Sequence, residues 1–323
     1  MASVPISIRP FRYAGNPTIT LPVGTWYSSQ IYDFNVLVDP TDSTKLMMFC
    51  SGMAAPVAVG TQSIGLFRAN VSDPYTWTEV GQVITPTESW ENGLCRLGSV
   101  IYDSGTFYLF YSGDATGEKI GVATSTDNGA TFTKYASNPI LTPTGQGRND
   151  GDYVSEPAVI KEGSAWTMIY SYRNGATILP GFRYATSSDG FAWTKGGSGD
   201  VLTTAPLYGE FHQILKKDGL YYLVYEAGST TVPYRIFMAT SSVVTGPFVT
   251  TQASPILLES GVVGSFDRYH VATPCLAEIS GRWLLFYSGA GDHDQPYGTN
   301  HWPGGMAEFA ARPCGYSSRN LAL

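Results

Sequence analysis

An aromatic, branched run that returns at steps of about sixty residues constrains this chain more than any other feature. It reads Lys45-Leu46-Met47-Met48-Phe49, then Phe107-Tyr108-Leu109-Phe110-Tyr111, Trp166-Thr167-Met168-Ile169-Tyr170, Tyr221-Tyr222-Leu223-Val224-Tyr225 and Trp283-Leu284-Leu285-Phe286-Tyr287. Runs of this composition are strands. An apolar segment precedes each: Asn35 to Val38, Ser99 to Tyr102, Ala158 to Lys161, Gln213 to Lys216 and Thr273 to Glu278. Another strand follows each: Ile64 to Ala69, Gly117 to Thr124, Phe182 to Ser187, Arg235 to Ser241, and a weaker Met306 to Phe309. Between Phe107 and Pro143 the unit continues through a Ser125-Thr126-Asp127-Asn128-Gly129 turn into a strand from Thr131 to Ala136. Asn and Asp bond their own backbone in such a turn, and Gly takes positive φ. Asn138-Pro139 then ends the pairing.

Five copies of a four-stranded antiparallel unit predict an all-β fold, a five-bladed β-propeller. The last copy lacks a fourth strand of its own. Arg12-Tyr13-Ala14-Gly15-Asn16-Pro17-Thr18-Ile19 matches Lys134-Tyr135-Ala136-Ser137-Asn138-Pro139-Ile140-Leu141, the outermost strand of the second copy. The ring is therefore expected to be closed by the N-terminal strand, with residues 1–323 forming a single domain.

Charged residues make up only 14% of the sequence, against about 25% in ordinary domains. A formal charge of −7 argues against a nucleic-acid surface, which needs clustered Lys and Arg. Neutral, hydroxyl-rich ligands suit such a surface better. Cys50, Cys95, Cys275 and Cys314 show no metal-binding spacing, and Cys50 and Cys275 fall in strands as buried thiols. Met1-Ala2-Ser3-Val4-Pro5 lacks the basic and apolar regions of a secretory signal, and no stretch is long enough for a membrane span. The expectation is a monomer that binds carbohydrate and neither nucleic acid nor membrane, its compartment left open.

In a propeller the starts of the innermost strands face the channel mouth, so candidate chemistry is sought there. The first blade offers Asp33, and the second Trp90, Glu91 and Arg96: an indole on which a sugar face can stack, and groups for its hydroxyls. The third offers Glu156 ahead of Pro157, an acid costly to bury without a partner. The fourth offers Glu210 and His212, which share strand parity and are expected on one side. The fifth offers Asp267, Arg268 and His270, with His293 and His301 in the insertion that follows. A metal site of His270, Asp292, His293 and His301 matches no known ligand spacing, so these histidines are assigned to hydrogen bonding. No cofactor is implied, although a structural cation in the channel is compatible with the acids.

With acids at the first, third and fourth blades, the sequence resembles five-bladed glycoside hydrolases of the family 43 type. That family carries an Asp on blade one, an Asp before Pro on blade three and a Glu on blade four, positions taken here by Asp33, Glu156 and Glu210. The resemblance implies Asp33 as general base, Glu210 as general acid and Glu156 as the group that tunes and orients the acid, with an inverting outcome. Trp90, Glu91, Arg96, His212, Asp267, Arg268, His270 and His301 would then contact substrate. The sequence departs from the family in reading Asp33-Phe34, Glu156 for Asp, and Glu210-Phe211-His212.

Three other readings stay open. A sialidase-type propeller shares the turn at Ser125 to Phe132 and its near copy at Ser187 to Trp193, but needs an arginine cluster. A phosphorolytic relative needs a similar basic cluster, which Arg96, Arg268, His212 and His270 supply in part. A non-catalytic glycan-binding propeller needs neither.

Overall fold

In the computed structural model, which describes residues 9–54, 61–114, 117–144, 152–173, 181–197, 200–203, 209–229, 232–251, 255–291 and 302–309, every regular element is a strand. The first blade holds β2 (Gln30–Val38), β3 (Lys45–Met53), β4 (Gln62–Asn70) and β5 (Asp73–Ile84). The second holds β6 (Arg96–Asp103), β7 (Thr106–Gly113), β8 (Lys119–Ser125) and β9 (Thr133–Lys134). The third holds β10 (Tyr153–Glu162), β11 (Ala165–Arg173), β12 (Gly181–Ser187) and β13 (Thr194–Lys195). The fourth holds β14 (Gly209–Lys217), β15 (Leu220–Ser229), β16 (Val232–Ser241) and β17 (Val249–Thr250). The fifth joins β18 (His270–Ile279), β19 (Arg282–Ala290) and β20 (Gly304–Phe309) to the N-terminal β1 (Phe11–Arg12).

These are the five antiparallel blades that the repeat predicts. The expected closure is present, with Phe11 opposite Glu308 and Arg12 opposite Ala307.

Two boundaries differ from expectation for physical reasons. The outer strand of blade two is only Thr133–Lys134, because Asp127 accepts bonds from the Thr131 N–H and hydroxyl at 3.0 and 2.5 Å and holds Thr131 in the turn. The inner strands begin several residues early, β2 at Gln30 and β10 at Tyr153. Each inner strand contains a bulge, between Tyr32 and Asn35, Leu97 and Ser99, Ser155 and Ala158, Glu210 and His212, and Ala272 and Cys275. A bulge inserts unpaired residues and breaks the two-residue alternation by which a strand is recognised. It also breaks the parity expected to link Glu210 and His212.

The aromatic strands are buried on both faces. Phe110 and Tyr111 are adjacent and fully buried, yet Phe110 packs with Trp166 and Tyr170 of blade three while Tyr111 packs with Phe49 of blade one. The same division sends Leu285 towards blade four and Phe286 towards blade one. Five apolar clusters thus lie between blades rather than within them. Cys50, Cys95 and Cys275 are free and buried; Cys314 lies outside the described residues.

The seam repeats the outer edge of blade two. Asn138 exchanges two hydrogen bonds with the Val122 backbone, each 2.9 Å. Asn16 does the same with Met306 at 2.8 and 2.9 Å. Lys134 meets buried Glu91 at 2.6 Å and Arg12 meets buried Asp267 at 2.6 Å, with the Tyr111 and Tyr287 hydroxyls donating to the same two carboxylates. The shared Asn-Pro signature therefore marks one polar clasp used twice.

Replacing Asn16 or Asn138 by Ala strands the Met306 or Val122 N–H, while the carbonyl of the same residue keeps the Tyr13 or Tyr135 N–H, and each change should lower the unfolding free energy by about 1–3 kcal/mol. Urea denaturation of the two variants checks this, and a neutral Asn16→Ala would mean the seam is held elsewhere.

Candidate active site

The bulges aim side chains at the ring axis. Asp33, Glu156 and Thr273 have φ of 53°, 54° and 49°, a left-handed conformation uncommon outside glycine. With Phe34, Leu97, Gly98 and Pro274 they line one cavity of ≈ 20 Å³, room for about one water molecule. Blade two contributes Gly98, where a Cβ would stand 2.4 Å from the Pro157 ring. Blade three leaves no space for a side chain there. Ser99, one residue on, instead accepts the Val159 N–H at 3.0 Å.

A second tier precedes the bulges. Arg96 and Glu210 occupy matching ladder positions in blades two and four, opposite Ser112 and Glu226. Arg96 Nη2 lies 2.5 Å from Glu118 and 3.9 Å from Glu156. Arg173 Nη2 donates to Glu210 Oε1 at 2.9 Å and stacks its guanidinium 4.9 Å from the Tyr153 ring. Glu226 is buried, and its Oε2 accepts the Thr273 N–H.

Asp33 is buried, and neither of its oxygens has a hydrogen-bond partner among the described residues. Burial pushes its carboxyl well above the usual range; Arg96 and then Ser51 oppose the shift, and Glu156 and Glu118 add to it. Burial pushes Glu210 up to about 7, with the Glu156 charge adding and Arg173 and Arg96 opposing. Burial likewise holds Glu226 well above a normal glutamate, and Glu210, Glu156 and Asp33 raise it further. Burial and then Glu118 raise Asp114. Carboxyls thus outnumber guanidiniums around one opening, so protons must reside on some of them.

Asp33, Glu156, Glu210 and Arg96 are brought together. Trp90 is packed within blade two, its ring 5.5 Å from Tyr111 and over Gly113 and Gly121. Glu91 and Asp267 are the carboxylates of the two clasps. Arg268 stacks on Tyr269 at 4.8 Å. His270 opens β18, accepts the Tyr234 N–H on Nδ1 at 3.0 Å and stacks against Trp302. Burial lowers the His270 pKa, opposed by Glu259. The His212 side chain, and Asp292, His293 and His301 entirely, lie outside the described residues. Among the described residues no group of three or more His, Cys, Asp or Glu is placed to hold a metal ion.

Sequence reasoning missed Glu118, Arg173, Glu226, Tyr153 and Tyr234. The hydroxyls of Tyr153 and Tyr234 are raised by burial and then by the charges of Glu156 and Glu210, with Glu226 acting on Tyr234 as well. Apart from those in the insertion that holds His293 and His301, candidates came from around the inner strands, whereas Arg173 and Glu226 lie on second strands and Tyr234 on a third.

An acid whose folded pKa is raised costs stability as pH climbs from its unfolded value, about 4, towards the folded one. Asp33→Asn removes that cost. The variant should be more stable than wild type by about 1–3 kcal/mol at pH 7, with the gap closing near pH 4. Thermal unfolding across pH checks both the sign and the window.

The model for Glycosyl hydrolases family 43 matches residues 59–270, more than half the sequence. Among curated proteins no sequence match is found. Similar solved structures include a GH43_1 enzyme from Xanthomonas citri, with a TM-score of 0.63 and 18% identity, covering 94% of this protein and 96% of that one. The catalytic domain of the Coprinopsis cinerea GH62 alpha-L-arabinofuranosidase has a TM-score of 0.66 and 16% identity, covering 95% and 98%. The endo-arabinase of Bacteroides thetaiotaomicron has a TM-score of 0.62 and 15% identity, covering 90% and 96%. At these identities the structures share the fold, while the family match carries the chemistry. Five blades, acids on the axis and that match lead to one conclusion: this protein belongs to glycosyl hydrolases family 43 and is a glycoside hydrolase.

Proposed function

We propose that this hydrolase cleaves the glycosidic bond of an uncharged sugar with inversion, Asp33 activating water and Glu210 protonating the leaving oxygen. The observation that carries the reading is the pairing of a buried, unpartnered Asp33 with a Glu210 whose carboxyl is pushed up to about 7. Glycoside hydrolysis needs one carboxyl protonated and one ionised at the same pH. Arg96 is the largest influence favouring the charged form of Asp33, and Glu156 is the first charge raising Glu210. Glu156 therefore acts on the acid without needing to touch the substrate.

An uncharged sugar fits the charge balance. Arg96 and Arg173 already face Glu118, Glu156 and Glu210, so neither supports the carboxylate-binding cluster of a sialidase or the phosphate site of a phosphorylase. Tyr153 and Tyr234, which feel the charges of Glu156 and Glu210, are the aromatic side chains beside the acids that a sugar ring could meet. The alpha-L-arabinofuranosidase and the endo-arabinase of the same fold make α-L-arabinofuranosides the first substrates to try.

Activity should fall as pH rises through about 7, where Glu210 loses its proton, and fall again at low pH where Asp33 gains one. The acidic limb should lie above the ordinary aspartate value of about 4. Asp33→Asn should lose about 10²–10⁴-fold in kcat on every substrate. Glu210→Gln should lose as much on alkyl or oligosaccharide leaving groups and little on 4-nitrophenyl α-L-arabinofuranoside, whose leaving group needs no proton. A pH profile with these two variants checks the assignment; equal losses on both leaving groups would remove Glu210 from the acid's role.

A further inference from the structure

The second strand of each blade ends its aromatic run with a residue that pairs directly with the tier before the bulge. Those residues are Ser51 opposite Tyr32, Ser112 opposite Arg96, Ser171 opposite Ser155, and Ser288 opposite Ala272. Blade four alone breaks the series, with Glu226 opposite Glu210. The serines have a structural task that two of them show plainly. Ser51 Oγ accepts the Leu97 N–H of the next blade at 2.8 Å, and Ser112 Oγ accepts the Glu156 N–H at 2.8 Å. Glu226 performs the same task for the Thr273 N–H of blade five. A serine would suffice for that bond, so the carboxyl exceeds what the fold needs.

Residues directly opposite in an antiparallel ladder point to the same face, with Cβ atoms about 5 Å apart. Glu226 therefore stands beside Glu210, on the one blade whose inner strand carries that acid. We propose that Glu226 is a positioning residue for Glu210: across the ladder it presents a carboxyl O–H that hydrogen-bonds the Glu210 carboxylate as that carboxylate forms. The proposal rests on Glu210 being the acid. Glu210 gives its proton to the leaving oxygen as the glycosidic bond breaks, and Glu226 keeps its own proton throughout.

The surroundings keep Glu226 neutral. The groups around the pair are Asp33 from blade one, Arg96 and Glu118 from blade two, Glu156, Tyr153 and Arg173 from blade three, Tyr234 from blade four and Thr273 from blade five. Burial and the charges of Glu210, Glu156 and Asp33 all favour the protonated form of Glu226. Arg173 faces Glu210, while Arg96 faces Glu118 and Glu156. A hydrogen bond to the charged form of an acid lowers its pKa, so Glu226 would hold Glu210 below the value that burial and Glu156 alone would give it.

The test compares Glu226→Ser with Glu226→Gln. Serine restores the pattern of the other blades and keeps an acceptor for Thr273, but its short hydroxyl withdraws the donor from Glu210. Glutamine keeps both. The direct readout is a ¹³C NMR titration of carboxyl-labelled glutamate, with the Glu210 resonance assigned from its loss in Glu210→Gln. The Glu210 pKa should rise by about one unit in Glu226→Ser and stay near wild type in Glu226→Gln. No movement in Glu226→Ser would make Glu226 purely structural, and a fall in either variant would mean that it carries charge; each result overturns the proposal. Should Glu226→Ser not fold, Glu226→Thr supplies the hydroxyl. The titration uses no substrate. If it behaves as expected while Glu210→Gln keeps the basic limb of the activity profile, the acid assignment fails rather than the carboxyl pair.

Discussion

Strands that are apolar on both faces cannot leave either face to water, and that requirement shapes the whole molecule. Leu109, Phe110 and Tyr111 are completely buried in sequence, and no single sheet covers both sides of such a run. Each blade is covered by its neighbours, and the first and last blades must cover each other. The ring therefore has to close, and the paired clasps at Asn16 and Asn138 show the seam built like an interior edge. Closure also sets the site, because residues more than a hundred positions apart, such as Asp33 and Glu156, line one cavity only when the blades stand around a common axis.

Burial on this scale leaves little freedom for polar groups, and the bulges supply it. Each bulge frees a short stretch of inner strand from the ladder and turns it inward, as the left-handed φ at Asp33, Glu156 and Thr273 records. Backbone N–H groups at or beside the bulges are then taken up by the preceding blade: Ser51 for Leu97, Ser112 for Glu156, Glu226 for Thr273. Fold and site meet in these bonds. The tier that stabilises blade contacts is also the tier that positions Arg96 and Glu210.

Much of this was legible in the sequence. The blade count follows from the aromatic run, and the seam follows from the match between Arg12-Tyr13 and Lys134-Tyr135 with their Asn-Pro endings. Asp33, Glu156 and Glu210 stand out because an acid next to an apolar run is expensive without a purpose. Glu118 and Arg173 carry no such signal, since a charged residue near a strand end usually faces solvent. Trp90, Glu91 and Asp267 lie near strand starts and invite a role in binding, yet their contacts belong to packing within blade two and to the two clasps. Glu226 was visible in principle. It required lining up Phe110-Tyr111-Ser112 with Val224-Tyr225-Glu226, a comparison of repeats rather than a search for acids at the channel mouth.

In the proposed mechanism Asp33 and Glu210 act from blades one and four with a water molecule between them. Carboxyls separated by about 6.5–9.5 Å leave room for that water and invert the anomeric centre, whereas about 5–5.5 Å allows direct attack and retention. The anomeric configuration of the first-formed sugar, followed by ¹H NMR before mutarotation, decides between them. The inverted anomer is the predicted product. A retained anomer would contradict these roles, because Asp33 would then bond to the sugar itself instead of activating water.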